Sequence, residues 1–346
     1  MQLAHRLATC HLALLSHSYI DTSVPGFRRA KTLIVVCGEA LIDMVVAGDG
    51  SRQPTPGGGP LNTASGLARL GIPTAFLGHF STDEFGRLLS GRLAADGASL
   101  ALASFGPEPT TVAVANLDDR GLAEYDFSVD GTSAPNLRLD MLPAELPAEV
   151  NALHVGTLGL ALEPMASTLV ELVRRESSRR LVMLDPNIRP LLASGARYRA
   201  RLDWLISQSA VVKASAEDLA WIYPGLDHRA AAQRILACGV GLVLVTLGEA
   251  GAYGISGDAR ASVGAEPVQV VDTIGAGDEF GAATLAWLYD HDRLRPDLRL
   301  SEGELEGLLR FATLAAALIC TRAGADPPWR SELAGYIPDP PDLPVS

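Results

Sequence analysis

Apolar positions along this chain fall into two alternating rhythms. "TLIVVCGEALIDMVV", starting at Thr32, opens with an unbroken aliphatic run ending at Gly38. Such a run marks a strand buried on both faces, as in parallel sheets. Similar short runs, "TAFLGHF", "ALHVGTL", "RLVMLDP", "AVVKAS" and "GLVLVTLG", alternate with helix-spaced stretches such as "LNTASGLARLG", "FGRLLSGRLAADG" and "EPMASTLVELVRRES". The alternation predicts a doubly wound α/β domain beginning near residue 31. One region departs from it. In "TTVAVANLDDRGLAEYDFSVDG", residues 110–131, apolar residues recur at period two about a polar turn at Asp118 to Gly121, which predicts a hairpin. Together with "MVVAG" (44–48) it is expected to form a small separate sheet, placed to cover a ligand. The first thirty residues carry too little positive charge for a signal peptide and are expected to be a loose extension or the product of a wrongly chosen start codon. The Pro-rich "IPDPPDLPVS" (residues 337–346) is expected to be an unpacked tail.

Composition narrows the picture. A length of 346 residues allows one large domain or two, and the unbroken α/β alternation favours one. With 48% of residues apolar and 20% charged, the chain has ample material for a core. Lys plus Arg number 28 against 40 Asp plus Glu, with no dense basic block, which argues against a nucleic-acid partner. Cys10, Cys37, Cys238 and Cys320 are widely separated, so neither a zinc knuckle nor a disulfide framework is indicated, and a reducing cytoplasm fits. No uncharged apolar run approaches the ~20 residues of a membrane helix.

Candidate chemistry concentrates in "VVDTIGAGDEFGAATLAWL", residues 270–288. Phe280, Ala283, Thr284, Trp287 and Leu288 follow the spacing of a buried helix face, so the glycines before them lie at a helix N-terminus. Free N–H groups and the positive end of the helix dipole make that point an anion site, and bare backbone at Gly275, Ala276 and Gly277 suits a phosphoryl group. No GK[ST] follows, so this is not a P-loop. Asp278, on the first turn, is placed to take the proton of an acceptor hydroxyl. Because the helix terminus favours the ionised carboxylate, Asp278 is expected to be a weak base that takes the proton late. "PGGGPLNTASGLARLG" (56–71) sets glycines and Asn62 ahead of another helix, and "GEALIDM" puts Asp43 just beyond the first strand. Both suit a polyhydroxylated ligand at strand ends. His79 and His154 lack clustered partners and are expected to be packed or hydrogen-bonded, with no zinc.

These residues resemble the PfkB, or ribokinase-like, carbohydrate kinases over about residues 33 to 335. "GGGPLNTASGLARLG" is similar to the family's first signature and "DTIGAGDEF" to its second, supported by "LDPNIR", "LVTLGEAGAY" and "TRAGADPP". The resemblance implies a ribokinase-like fold, a central mostly parallel sheet flanked by helices with a small β-sheet lid, spanning residues 31–335. The lid would come from about 43–57 and 108–131. It implies transfer of the ATP γ-phosphate to a primary sugar hydroxyl with Mg2+, and a homodimer formed through the lids. Carried over, Asp278 matches the base, Gly275, Ala276 and Gly277 the anion hole, and Asp43, Gly58, Gly59 and Asn62 the sugar site. Thr246, Gly248 and Gly251 match the nucleotide loop, Lys213 and Asn187 lie near the phosphates, and Asp218 falls where a Glu usually helps hold magnesium. Asp272 and the carbonyls of Ile274, Arg322 and Gly324 match a K+ site. The chain departs from the pattern at Glu279, expected to point away from the anion, and at Asp218, Ser81, and Thr313, which replaces an Asn near the adenine. The motif versions are most similar to fructokinases, which implies fructose. A 2-keto-3-deoxygluconate kinase is the alternative, because Arg189 suits a sugar-acid carboxylate, and a ribose or nucleoside kinase comes third. From other classes, a Rossmann oxidoreductase lacks its GxGxxG, while a non-catalytic sugar- or nucleotide-binding homologue remains compatible with Glu279 and Asp218.

Overall fold

The computed structural model describes residues 32–46, 52–117, 123–193 and 195–333. The anticipated extension (1–30), tail (336–346) and hairpin turn (118–121) lie outside them, the turn wholly so. Strands are β1 Leu33–Cys37, β2 Leu41–Val46, β3 Arg52–Gly57, β4 Thr74–Leu77, β5 His79–Ser81, β6 Ser104–Gly106, β7 Val112–Leu117, β8 Ala123–Ser128, β9 Val150–Gly156, β10 Leu181–Asp185, β11 Val211–Ser215, β12 Leu242–Thr246, β13 Ala252–Ser256 and β14 Ala259–Val263. Helices are α1 Gly59–Arg69, α2 Glu84–Asp96, α3 Met165–Glu176, α4 Gly195–Gln208, α5 Ala216–Ile222, α6 His228–Leu236, α7 Ala276–Asp290, α8 Glu302–Ile319 and the short α9 Arg330–Leu333.

Aliphatic runs build an eight-stranded sheet in the order β14-β13-β12-β11-β10-β9-β1-β4. It is parallel from β12 to β4, with β13 and β14 added antiparallel. Because strand side chains alternate in direction, each run feeds two cores. Ile34 and Val36 join the core that contains Phe280 and Leu308, while Val35 and Cys37 join the one that contains Leu169 and Leu202. Burying each such side chain contributes about 1.5–3 kcal/mol. Helix α7, apolar nearly all round, is buried between α1 and α8.

A second sheet, β3-β2-β7-β8, contains the expected hairpin, β7 antiparallel to β8, joined to β2. In the main sheet β1 leads one way to β4, whereas β9, on its other side, leads away through β10, β11 and β12. This reversal is the point where open α/β sheets take ligands, at the carboxyl ends of their strands. Gly38 and Glu39 follow β1 there, and Thr157 follows β9.

Candidate active site

A cleft of about 1250 Å³ opens at those strand ends. Asp43, Gly59, Asn62 and Arg189 line one part, and Thr246, Gly251 and Thr313 another, with the N-terminus of α7 also in its wall.

Gly275 caps α7 with φ 81°, and a Cβ there would stand 2.8 Å from the Ala325 methyl, so the turn requires glycine. The Ala276 N–H turns back to the Thr273 carbonyl at 3.2 Å, which leaves the neighbouring first-turn amides of Gly277 and Asp278 as the groups best placed for an anion. Asp278 is 8% exposed, and its Oδ2 accepts from Asn62 Nδ2 at 2.9 Å. Its Oδ1 lies 3.0 Å from the point where a Cβ on Gly59 would stand, and Asn187 Nδ2 lies 3.6 Å from the same point. A side chain on Gly59 would also meet the Thr157 methyl at 2.6 Å, so the glycine lets the backbone pack close against Asp278, whose Oδ1 stays on the cleft wall. Burial, with a smaller push from Asp185, raises the Asp278 carboxyl to about 6 against the hydrogen bond from Asn62 and the field of Lys213. Desolvation outweighs the helix dipole, so Asp278 is a stronger base than an ordinary carboxylate, while still far too weak to strip an alcohol before the new bond forms.

Lys213, on β11, reaches Asp185 Oδ2 at 2.9 Å, and both are buried. Its Nζ lies 3.1 Å from where a Cβ on Gly277 would stand, so an ammonium sits beside the glycine turn. Burial opposes that charge, but Asp185 outweighs it, with help from Asp278, and keeps Lys213 protonated. Burial also lifts Asp43 to about 6, moderated by Arg189. Arg189 donates to Asn187 Oδ1 at 2.6 Å, and Asn187 lines the cleft on the Gly59 side.

Asp218 lines the cleft but has both oxygens engaged. Oδ1 accepts from the Ile188 N–H at 2.7 Å, and Oδ2 from the N–H and hydroxyl of Ser215, each at 2.9 Å. The residue anticipated as a metal partner thus serves as a helix cap that also anchors the "DPNIR" loop, while Glu217 beside it is exposed on the cleft wall. Thr246 ends β12, and Gly248 and Gly251 flank the turn after it. Thr313 is buried with its hydroxyl unpartnered. Asp272 accepts from the N–H of Gly324 at 2.8 Å and of Ile274 at 3.1 Å, joining two loops, whereas the Arg322 guanidinium turns to Glu332. Glu279 points away from the cleft towards Gly66 of α1, as expected, and both its oxygens are buried without a partner. His79 is hydrogen-bonded to Ser104 and Glu108, and His154 is packed in the sheet, where burial holds it neutral with a pKa of about 3.

Sequence reasoning missed Asp185 and Glu39. Asp185 ends a strand within the quoted "LDPNIR", the same local cue that singled out Asp43. Glu39 follows Gly38 directly after the first strand, is 1% exposed, and is raised to about 7 by burial.

The description "pfkB family carbohydrate kinase" matches residues 31–332. A fructokinase of Rhizobium leguminosarum bv. trifolii is 39% identical over 261 residues, covering 74% of this chain and 79% of that protein. The crystal structure of fructokinase with bound ATP from Xylella fastidiosa aligns with TM-score 0.82 at 27% identity, over 88% of this chain and 98% of that one. The fructokinase of Vibrio cholerae O395 in its fructose, ADP and calcium ion bound form aligns with TM-score 0.77 at 26% identity, over 89% and 100%. A double mutant of the latter was solved in a fructose, ADP and potassium ion bound form. With a matched region that spans nearly all the described residues, the chain belongs to the pfkB family of carbohydrate kinases.

Proposed function

We propose that this chain transfers the γ-phosphoryl group of ATP to a primary hydroxyl of fructose. The observation that carries the reading is the placement of Asp278 in the cleft wall beside Gly59, with Oδ2 held by Asn62. A hydroxyl entering the cleft there donates to Asp278 and passes its proton to it as its oxygen bonds to the γ-phosphorus and the bond to ADP breaks. Oriented attack is the main contribution. The amides of Gly277 and Asp278 and the Lys213 ammonium hold the charge that spreads over the phosphoryl oxygens. Asp43 and Asn62 are suited to orient the sugar, and the Thr246–Gly251 turn with Thr313 to seat the nucleotide.

Mg2+ arriving with the nucleotide would find an exposed carboxylate on this wall in Glu217, held at the helix start that Asp218 caps, and would neutralise phosphate charge. K+ at Asp272 with the carbonyls of Ile274, Arg322 and Gly324, a homodimer through the β3-β2-β7-β8 lid, and a cytoplasmic setting belong to the same reading. Among the described residues no helix is long and apolar enough to cross a membrane. A sugar acid is the second reading, since Arg189 lines the cleft, but the field of Arg189 already acts on the buried Asp43, which favours a neutral sugar.

ADP release measured with fructose, ribose, glucose, 2-keto-3-deoxygluconate and adenosine, in potassium and in sodium, tests the proposal. Fructose should give the highest kcat/KM, with a higher rate in potassium. Turnover confined to the sugar acid overturns fructose, and equal rates in the two salts remove the cation site. A monomer mass in solution removes the dimer.

A further inference from the structure

Glu39 takes no part in the transfer described above, yet it is a buried carboxylate in the cleft wall at the switch between β1 and β9. Its Oε1 accepts from the Thr157 hydroxyl, and its Oε2 accepts from the Gly159 N–H at 3.2 Å. Both donors belong to the turn that leaves β9. Thr157 has φ 51°, a left-handed conformation that is a genuine outlier for a β-branched residue. Such a conformation persists only where its surroundings over-determine it. Here the two acceptor bonds to Glu39 supply that constraint.

The consequence reaches the acceptor space. Thr157 Cγ2 lies 2.6 Å, and Asp278 Oδ1 3.0 Å, from the point where a Cβ on Gly59 would stand. The cleft wall beside Gly59 thus carries both the base and a methyl group whose position depends on Glu39. We propose that Glu39 is a positioning residue for the sugar: it holds Thr157 in its strained turn and thereby shapes the acceptor part of the cleft beside Asp278. The inference rests on the reading of that space as the acceptor site. It makes Glu39 selective in effect, because Thr157 borders the sugar part of the cleft and not the wall formed by Thr246, Gly251 and Thr313.

Four variants test it with fructose and ATP as the probes: Glu39→Ala, Glu39→Gln, Thr157→Val and the double Glu39→Ala/Thr157→Val. Glu39→Ala should raise the fructose KM about tenfold or more, the scale of losing one or two buried hydrogen bonds, with the ATP KM within about twofold of the parent. Glu39→Gln keeps an acceptor for the Gly159 N–H and a partner for the Thr157 oxygen, and should recover most of that loss. Thr157→Val should raise the fructose KM selectively, and the double variant should be no worse than the poorer single one, because both changes break the same link. A parent-like fructose KM in Glu39→Ala, a parallel rise of both KM values, or multiplying effects in the double variant overturns the inference. If Glu39→Ala does not fold, Thr157→Val decides: a selective rise supports the link, and a parent-like KM overturns it. Absence of fructose turnover in the parent is a different failure, seen before any variant is made, and removes the substrate reading on which the inference stands.

Discussion

The two parts of the cleft solve different problems. Where the sugar is proposed to sit, carboxylates are taken out of water: burial lifts Asp43 and Asp278 to about 6 and Glu39 to about 7. Where the nucleotide is proposed to sit, the wall is a helix face of Thr313, Ala316 and Ala317 with a glycine turn; Glu217, Glu249 and Glu266 on it stay exposed, and the buried Asp218 is engaged in capping bonds. Desolvating an acid costs stability, but it produces a base whose pKa lies near the working pH. The wall around an adenine has no proton to move, so small side chains and free backbone suffice there. The contrast teaches that the strongly raised carboxylates of the cleft gather in the part where a proton is proposed to move.

Replacing Asp278 is the largest test of that contrast. Asp278→Asn keeps the shape and a group for Asn62 to bond, and should lower kcat by about 10²–10⁴ with fructose and ATP binding retained by calorimetry. It should also stabilise the fold. A carboxyl whose folded pKa is about 6 against 3.8 is penalised once ionised, a cost absent below pH 4 and complete above about pH 6. The variant should therefore melt higher at pH 7.5, by up to the order of 3 kcal/mol, and the gain should vanish near pH 4. A parent-like kcat breaks the comparison at its centre.

Lys213→Met comes next. It removes the cation beside Gly277 and leaves Asp185 as an uncompensated buried charge, so kcat should fall by about 10² and stability by about 3–5 kcal/mol. Adding Asp185→Asn should restore most of the stability and none of the rate. Full recovery of rate in the double variant would make the pair purely structural.

Acidity should separate the two parts without any mutation. Asp278 must be ionised to accept a proton, and Asp43 is titrated in the same range, so kcat/KM for fructose should fall as pH drops through about 6. The decline should be about tenfold per pH unit for one group and steeper where both act. The ATP KM should stay level across the same window. A fructose kcat/KM that is flat between pH 7 and 5 contradicts the raised Asp278.

These effects were unequally legible in the sequence. The sheet was readable because strands buried on both faces leave unbroken aliphatic runs such as "LIVVC", and α7 because its glycine turn precedes a helical apolar face. Strand β3 was not legible as a strand: Pro54 and Pro56 speak against one, and they are accommodated because β3 is an edge of its sheet. Asp278 was visible from local spacing, but its raised pKa was not, because a helix terminus is a local feature and burial is a tertiary one. The Lys213–Asp185 pair joins residues 28 apart on neighbouring strands, and Glu39 meets Thr157 across 118 residues. Nothing in the spacing of either pair announces the contact.

The smallest expected effect lies in the nucleotide part. Thr313 is 7% exposed, and its hydroxyl has no partner among the described residues, although a helical threonine can bond the preceding turn. An unpaired buried hydroxyl is a cost that a ligand can relieve. Thr313→Val keeps the shape and removes the group, so the ATP KM should rise about threefold to tenfold, the range of one neutral hydrogen bond. The fructose KM should not move, and the variant without ligands should melt no lower than the parent. An unchanged ATP KM would mean that this wall recognises the nucleotide by shape alone and would sharpen the contrast, while a shift in the fructose KM would show that the two parts of the cleft are coupled.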